Sequence, residues 1–146
     1  MHPRPGRADP ASLLTPSPAL PILAAMFFLS FVTDRIGGNG AKAYQCIGCG
    51  GLITHSDQLL AVEGGIRHSF VNPSGIEYEF HTFSSCPGAI SLGEPTTDHT
   101  WFAGYCWRIA LCRNCGLHMG WHYQAALRSD RPRVFWGILV SSVVAG

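Results

Sequence analysis

Two short segments constrain this chain more than anything else in it. Cys46-Ile47-Gly48-Cys49-Gly50 and Cys112-Arg113-Asn114-Cys115-Gly116 are each a Cys-x-x-Cys followed by glycine. Two such knuckles supply four thiolates, the complement of a tetrahedral zinc ion with Zn–S bonds of ~2.3 Å. The trailing glycine fits a turn that brings backbone amides up to the sulfurs, because a residue free to adopt positive φ does this without strain. The knuckles are separated by 62 residues. A metal here joins the beginning of a domain to its later part and offsets the entropy of closing a long loop. The competing readings are disulfides, which belong to a secreted chain, and a redox pair, which normally opens a helix after a strand. Two copies, each followed by glycine, fit metal better. His118 and His122 are substitute ligands, but four cysteines leave no vacancy. A closed four-cysteine site activates no water, so the expected ion is a single structural zinc.

The composition shifts near residue 43. Residues 1–43 hold six of the ten prolines and none of the six cysteines or four tryptophans. They read as a Pro-rich, apolar N-terminal tail or leader, residues 44–140 as the working domain, and residues 141–146 as a C-terminal tail. The apolar run Ala19–Val32 contains Pro21 and spans 14 residues, short of the ~20 a membrane helix needs. It is long enough for a signal-peptide core, although the small-residue pattern Ala41-Lys42-Ala43 lies far downstream of it. A start at Met26 is a third reading. The expected location is cytoplasmic, with secretion as the alternative if Ala19–Val32 is a signal core.

Beyond residue 43 the pattern is mostly strand. Phe70-Val71 leads into Asn72-Pro73-Ser74-Gly75, and Ile76–Phe83 then alternates apolar with polar side chains, which reads as a hairpin with one buried face. Trp107–Leu111 and Phe135–Val140 read as buried strands. The best helix candidate is short, around Ser56–Ala61 with Ser56 as cap. An antiparallel, mainly β domain follows. With 10 basic and 9 acidic residues the chain lacks the surplus a general nucleic-acid binder needs to neutralise phosphates. The Arg128–Arg133 stretch contains Asp130 and reads as a solvated turn rather than a phosphate site.

Trp101, Trp107 and Trp121 fall within 21 residues and bracket the second knuckle. Gly104 permits a turn between the first two, and Trp121 follows closely on a metal-anchored segment. Three converging indoles make a walled apolar box that holds either a cation over the ring faces or a flat neutral ring by stacking. No carboxylate cluster lies in this segment, though Asp98 and Glu94 are near in sequence. Three tryptophans filling a small β core is the plainer alternative. Cys86 and Cys106 read as small buried hydrophobes; a nucleophilic role needs a basic neighbour, and Arg108 is the only candidate beside Cys106.

At these residues the chain resembles the CULT domain, the thalidomide-binding domain of cereblon, and in particular the small single-domain bacterial cereblon-like proteins. The resemblance is carried by both knuckles, by Phe70-Val71-Asn72-Pro73-x-Gly75, by His99-x-Trp101-Phe102-x-Gly104-Tyr105-x-Trp107, and by His118-x-Gly120-Trp121-His122-Tyr123. They occur in the family's order across about residues 44–140. The resemblance implies a β-tent, two antiparallel sheets pinned near zinc held by Cys46, Cys49, Cys112 and Cys115. It makes Trp101, Trp107 and Trp121 pocket walls, Tyr123 an aromatic floor, and Asn72 and Pro73 part of a closing loop. It assigns the His99 carbonyl and the Trp101 amide to the edge of an imide. The implied ligands are glutarimide, thalidomide-type molecules and chain-terminal cyclic imides.

Residues 1–43 are too short for the Lon-like domain and ubiquitin-ligase adaptor region of full-length cereblon, so only ligand binding is carried over, and a monomer is expected. The runner-up is an enzyme like the B-type methionine sulfoxide reductases, with Cys86 or Cys106 as nucleophile. The Arg-x-Cys-x-Asn signature expected there is absent. An aromatic cage for methylated ammonium ligands is a second alternative.

Overall fold

The computed structural model describes residues 40–146, so the Ala19–Val32 run and most of the leader lie outside the described residues. Among the described residues no helix is long and apolar enough to cross a membrane. Among the described residues nine strands carry the fold: β1 (Ala43–Cys46), β2 (Leu52–His55), β3 (Arg67–Val71), β4 (Glu77–Phe83), β5 (Ala89–Thr96), β6 (Tyr105–Cys112), β7 (His118–Ala125), β8 (Val134–Leu139) and β9 (Val143–Ala145). They form a three-stranded sheet in the order β2-β1-β9 and a six-stranded sheet in the order β3-β4-β8-β7-β6-β5. Every pairing is antiparallel. The mainly β, two-sheet architecture is the one the sequence predicts.

Strand alternation and register explain the two cores. On one face of the large sheet, Phe80 (β4), Leu139, Gly137 and Phe135 (β8), Trp121 and Tyr123 (β7) and Trp107 (β6) are cross-strand neighbours. These residues, except Gly137, share one apolar cluster with Trp101 and Phe102. Gly137 makes room for it: a Cβ there would sit 2.8 Å from the Phe80 ring. The opposite face carries Phe83, Ile138 and Ala110, which pack against Cys46 and Ile53 of the small sheet in a second cluster with Met119 and the cysteines. Zinc-ligand candidates and inter-sheet core therefore occupy the same seam.

The 70–83 hairpin forms as predicted. Asn72 holds its turn, with Oδ1 accepting from the amides of Ser74 at 3.0 Å and Ile76 at 2.8 Å, an Asx-type arrangement that suits this residue. The helix expected over Ser56–Ala61 is only a 3-10 turn at Ser56–Gln58. Leu59 instead bridges to Phe83, and Ser56 Oγ accepts from the Lys42 amide at 2.9 Å rather than capping. Tertiary pairing of Leu59 with an apolar strand outweighs the weak local preference. The boundary at 140 is also corrected. Residues 141–146 are no tail: β9 pairs with β1, setting Tyr44 opposite Ala145 and Cys46 opposite Val143. The Arg128–Arg133 stretch is the irregular, largely exposed connection between β7 and β8.

Three half-buried histidines make stability pH-dependent. His68 packs among Phe70, Phe80 and Phe102, with ring centroids 6.1, 5.6 and 5.2 Å away. Burial lowers its pKa from 6.5, as it does for His81 and His122, where the charges of Arg67 and Arg108 add to the effect. A histidine whose folded pKa is depressed binds protons more readily when unfolded. Its stabilising contribution is complete above the unfolded value of ~6.5 and is lost as the pH falls toward the folded value. With zinc in excess, the thermal midpoint is expected to fall as the pH drops below ~6.5, and His68→Gln to flatten that slope. A midpoint that rises on acidification would contradict the burial argument.

Candidate functional site

The four cysteines converge from two turns. Cys46 and Cys49 bracket the β1–β2 connection, and Cys112 and Cys115 the β6–β7 connection, so the site joins the two sheets. Their sulfurs all lie within 4.8 Å of one another, with Cys46 to Cys115 at 3.6 Å and Cys49 to Cys112 at 3.7 Å. A tetrahedron with ~2.3 Å metal–sulfur bonds has edges of about 3.8 Å, whereas a disulfide requires ~2.05 Å. The geometry is that of a metal site. Gly50 and Gly116 have φ of 78° and 81°, the left-handed turns the spacing predicts.

Amides complete the surroundings of the sulfurs. Gly48 N–H donates to Cys46 Sγ at 3.3 Å, Gly51 to Cys49 at 3.4 Å and Asn114 to Cys112 at 3.4 Å. The Asn114 side-chain amide crosses between knuckles to Cys49 Sγ at 3.2 Å. Donors of this kind favour thiolate over thiol. In the metal-free state the opposite pressure holds: the adjacent Cys46 thiol and burial push Cys112 far up, and burial pushes Cys115 up to about 11. Only a bound cation resolves that conflict, expelling protons as it binds. A single zinc ion is suited to this cluster, held by all four cysteines and closed to substrate.

The tryptophans are placed by the large sheet and by the loop between β5 and β6. Trp121 is fully buried on β7, and Trp107 lies on the same sheet face, opposite Tyr123. Trp101 comes from the loop; its ring stacks on Phe70 at 5.2 Å and Phe80 at 5.7 Å and meets Trp121 edge-on at 5.0 Å. Among the described residues Trp107 makes no such ring contact, but it anchors the loop, its Nε1–H donating to the Asp98 carbonyl at 2.8 Å. Thr100 reinforces the loop by bonding the Phe102 backbone at both ends. His99 adopts φ of 56°, a left-handed conformation that a non-glycine residue takes up only at a cost. Among the described residues its carbonyl accepts no hydrogen bond.

The remaining residues singled out in the sequence fall into three places. Tyr123 follows Trp121 by two residues on the same face of β7, stacked on Phe135 at 4.8 Å and edge-on to Phe102 at 4.9 Å, with its hydroxyl buried and without a hydrogen-bond partner among the described residues. Asn72 is buried with Oδ1 committed to its turn, and Pro73 is exposed. The carboxylate-bearing residues Asp98 and Glu94 are both exposed. Cys86 is buried beside Thr54, and burial pushes its thiol far above the usual range. Cys106 and Arg108 do share a strand face, but it is the face opposite Trp107. Sequence reasoning missed Phe70 and Phe80 as the platform under Trp101, because contacts between β3, β4 and a distant loop leave no local pattern. It also missed Ser142, whose Oγ bonds the His118 carbonyl at 2.8 Å while its own carbonyl accepts from Ile47 of the first knuckle. His118 in turn meets Trp121 edge-on at 5.3 Å, linking the zinc seam to the indoles.

The family model described as Yippee zinc-binding/DNA-binding and Mis18, centromere assembly, matches residues 42–144. The chain belongs to the Yippee/Mis18 family. Within it the chain is cereblon-like, a small binding domain of the CULT type. It is 33% identical over 133 residues to protein cereblon of Drosophila erecta, covering 83% of this chain and 23% of that protein. Protein cereblon of Gallus gallus is 43% identical over 81 residues, covering 55% of this chain and 18% of that one. The chain thus spans about a fifth of the length of these relatives. The crystal structure of the Mis18 Yippee-like domain superposes with a TM-score of 0.50 at 13% identity over 73% of this chain and 95% of that domain, a likeness of fold.

Proposed function

We propose that this chain is a non-enzymatic binding module that recognises cyclic imides, namely glutarimide, thalidomide-type ligands and chain-terminal cyclic imides, at Trp101, Trp107 and Trp121. The observation that carries the reading is the His99 turn. A left-handed residue whose carbonyl has no hydrogen-bond partner among the described residues stands two positions before an indole that faces a second, fully buried indole. Strain of this kind persists where surrounding structure over-determines it, and that is typical of ligand sites. An imide ring is flat and neutral, with an acceptor–donor–acceptor edge. The His99 carbonyl suits its N–H and the Trp101 amide one of its oxygens, while the indoles cover its aliphatic carbons. A ring lacking that edge covers the His99 carbonyl without pairing it, at ~1–3 kcal/mol.

The other readings find less support. A methylated-ammonium cage draws on carboxylates facing the rings, and both nearby ones are exposed. A sulfoxide reductase requires a low-pKa thiol at the aromatic site; Cys86 is buried with a raised pKa and Cys106 is on the opposite sheet face. The near balance of charge disfavours nucleic acid as the main ligand. A reducing, cytoplasmic setting, in which four thiols remain available for zinc, is part of the proposal, as is a monomeric state.

The test is a tryptophan-fluorescence titration of zinc-loaded protein with glutarimide and with a peptide ending in a cyclic imide. Both are expected to quench or shift the emission, and Trp101→Ala to abolish the response. A methylated ammonium compound such as betaine is expected not to compete. Silence from folded, zinc-loaded protein toward both imides would overturn the proposal.

A further inference from the structure

The four cysteines of the metal site are not equivalent. Cys46, Cys112 and Cys115 are buried, whereas Cys49 is only half-buried, and its turn neighbours Gly48 and Gly50 are exposed. Two N–H groups donate to the Cys49 sulfur, one from each knuckle: the Gly51 amide at 3.4 Å and the Asn114 side chain at 3.2 Å. The Cys112 sulfur lies 3.7 Å away, across the two turns. A hollow of about 280 Å³ opens beside this half of the cluster. It is bordered by Cys112 and by both residues that donate to Cys49, Gly51 and Asn114.

We propose that Cys49 is an oxidation site, and that a hydroperoxide converts Cys49 and Cys112 into a disulfide between the knuckles, with release of the metal. The reasons are access and pairing. A metal-held cysteine is a thiolate, the form that reacts with peroxides. Of the four, Cys49 alone combines that state with partial exposure, and Cys112 stands close enough to resolve its oxidised form.

The chemistry balances in two steps. The Cys49 thiolate attacks one oxygen of hydrogen peroxide; an S–O bond forms, the O–O bond breaks, and the other oxygen leaves as hydroxide. The sulfur gives up two electrons and the peroxide takes them. The Cys112 thiolate then attacks the sulfur of the Cys49 sulfenic acid; an S–S bond forms, the S–O bond breaks, and a second hydroxide leaves. Two of the four ligands are then spent, and Cys46 and Cys115 do not make a closed site by themselves. The new bond joins the same two turns that the metal joins, so the sheets stay linked. Asn114 restrains the first step, because a hydrogen bond to a thiolate spreads its charge and lowers its nucleophilicity. This inference concerns the metal site alone and does not depend on the imide reading.

The experiment uses the full zinc-loaded chain carrying Cys106→Ser, which removes the other half-buried cysteine, and adds hydrogen peroxide. A chromogenic chelator follows zinc release against a peroxide-free control, and mass spectrometry of alkylated peptides maps the disulfides. Release is expected together with a Cys49–Cys112 disulfide, while Cys86 stays reduced. A dithiol reductant with added zinc is expected to restore the metal. In the same background Asn114→Leu, checked for zinc content and thermal midpoint, is expected to release zinc on the order of fivefold faster. The proposal is overturned if the metal stays bound in excess peroxide, or if the first disulfide joins Cys46 to Cys49 or Cys46 to Cys115. It is overturned too if folded Asn114→Leu releases zinc no faster. Disulfide mapping of the chain that retains Asn114 decides the matter alone if that variant does not fold.

Discussion

Chelating zinc is expected to unfold this domain rather than merely loosen one end of it. The four cysteines belong to the β1–β2 and β6–β7 turns, one from each sheet, and they form part of the apolar cluster that joins the sheets. Binding of structural zinc contributes on the order of 10–16 kcal/mol in small domains, as much as or more than the ~5–15 kcal/mol by which whole domains are stable. The apo chain also keeps thiols that Cys112 and Cys115 cannot easily ionise where they stand. Circular dichroism and near-ultraviolet signals from the buried indoles are expected to collapse together on chelation. Cys112→Ser is expected to reproduce the loss even in excess zinc, whereas Cys106→Ser, which is outside the cluster, keeps metal and fold. A chelated chain that still melts cooperatively within a few degrees of the holo form would show that the apolar cores suffice alone.

Gly120→Ala is expected to be the most damaging single methyl group in the large sheet. Gly120 has φ of 141°, and an added Cβ would lie 1.9 Å from the Gly137 carbonyl oxygen on the neighbouring strand. The obstacle is backbone at the centre of the sheet, between β7 and β8, so no side-chain rotation relieves it. Steric overlap together with a backbone conformation that L-residues avoid places the cost above about 4 kcal/mol. Trp121 follows directly, so any surviving fold is expected to lose the imide response as well. Gly64→Ala is the control: Gly64 also has positive φ, 87°, but open space around it, and the substitution is expected to cost about 1 kcal/mol. Urea midpoints for the two variants read the difference; equal losses would mean that conformation alone, not the approach of β8, sets the requirement.

The metal site was legible because its information is local. Each knuckle is a five-residue unit whose spacing and glycine dictate the turn, and two units account for four ligands. The 70–83 hairpin was legible for the same reason, since Asn72 organises a turn out of its own neighbours. The short helix over Ser56–Ala61 failed because Leu59 gains more by bridging to Phe83 than a one-turn helix gains from a cap. The supposed tail after residue 140 failed because β9 has no pattern of its own; its partner β1 lies almost a hundred residues earlier. Trp101 looked like half of a hairpin with Trp107, yet it rests on Phe70 and Phe80, residues that no spacing rule connects to it.

What the sequence alone determined was the kind of domain: a β chain stapled by one four-cysteine metal site, with an excess of indole near the second knuckle. Those conclusions rest on chemistry carried by residues close together along the chain. Only the tertiary structure decided which face of β7 holds Trp121 and which holds His122, and hence that Trp107 and Trp121 lie on the opposite side of the sheet from Arg108, His122 and Trp136. That separation is set by register across six strands, where a shift of a single residue would exchange the two faces, and register is fixed by long-range packing that no local segment encodes.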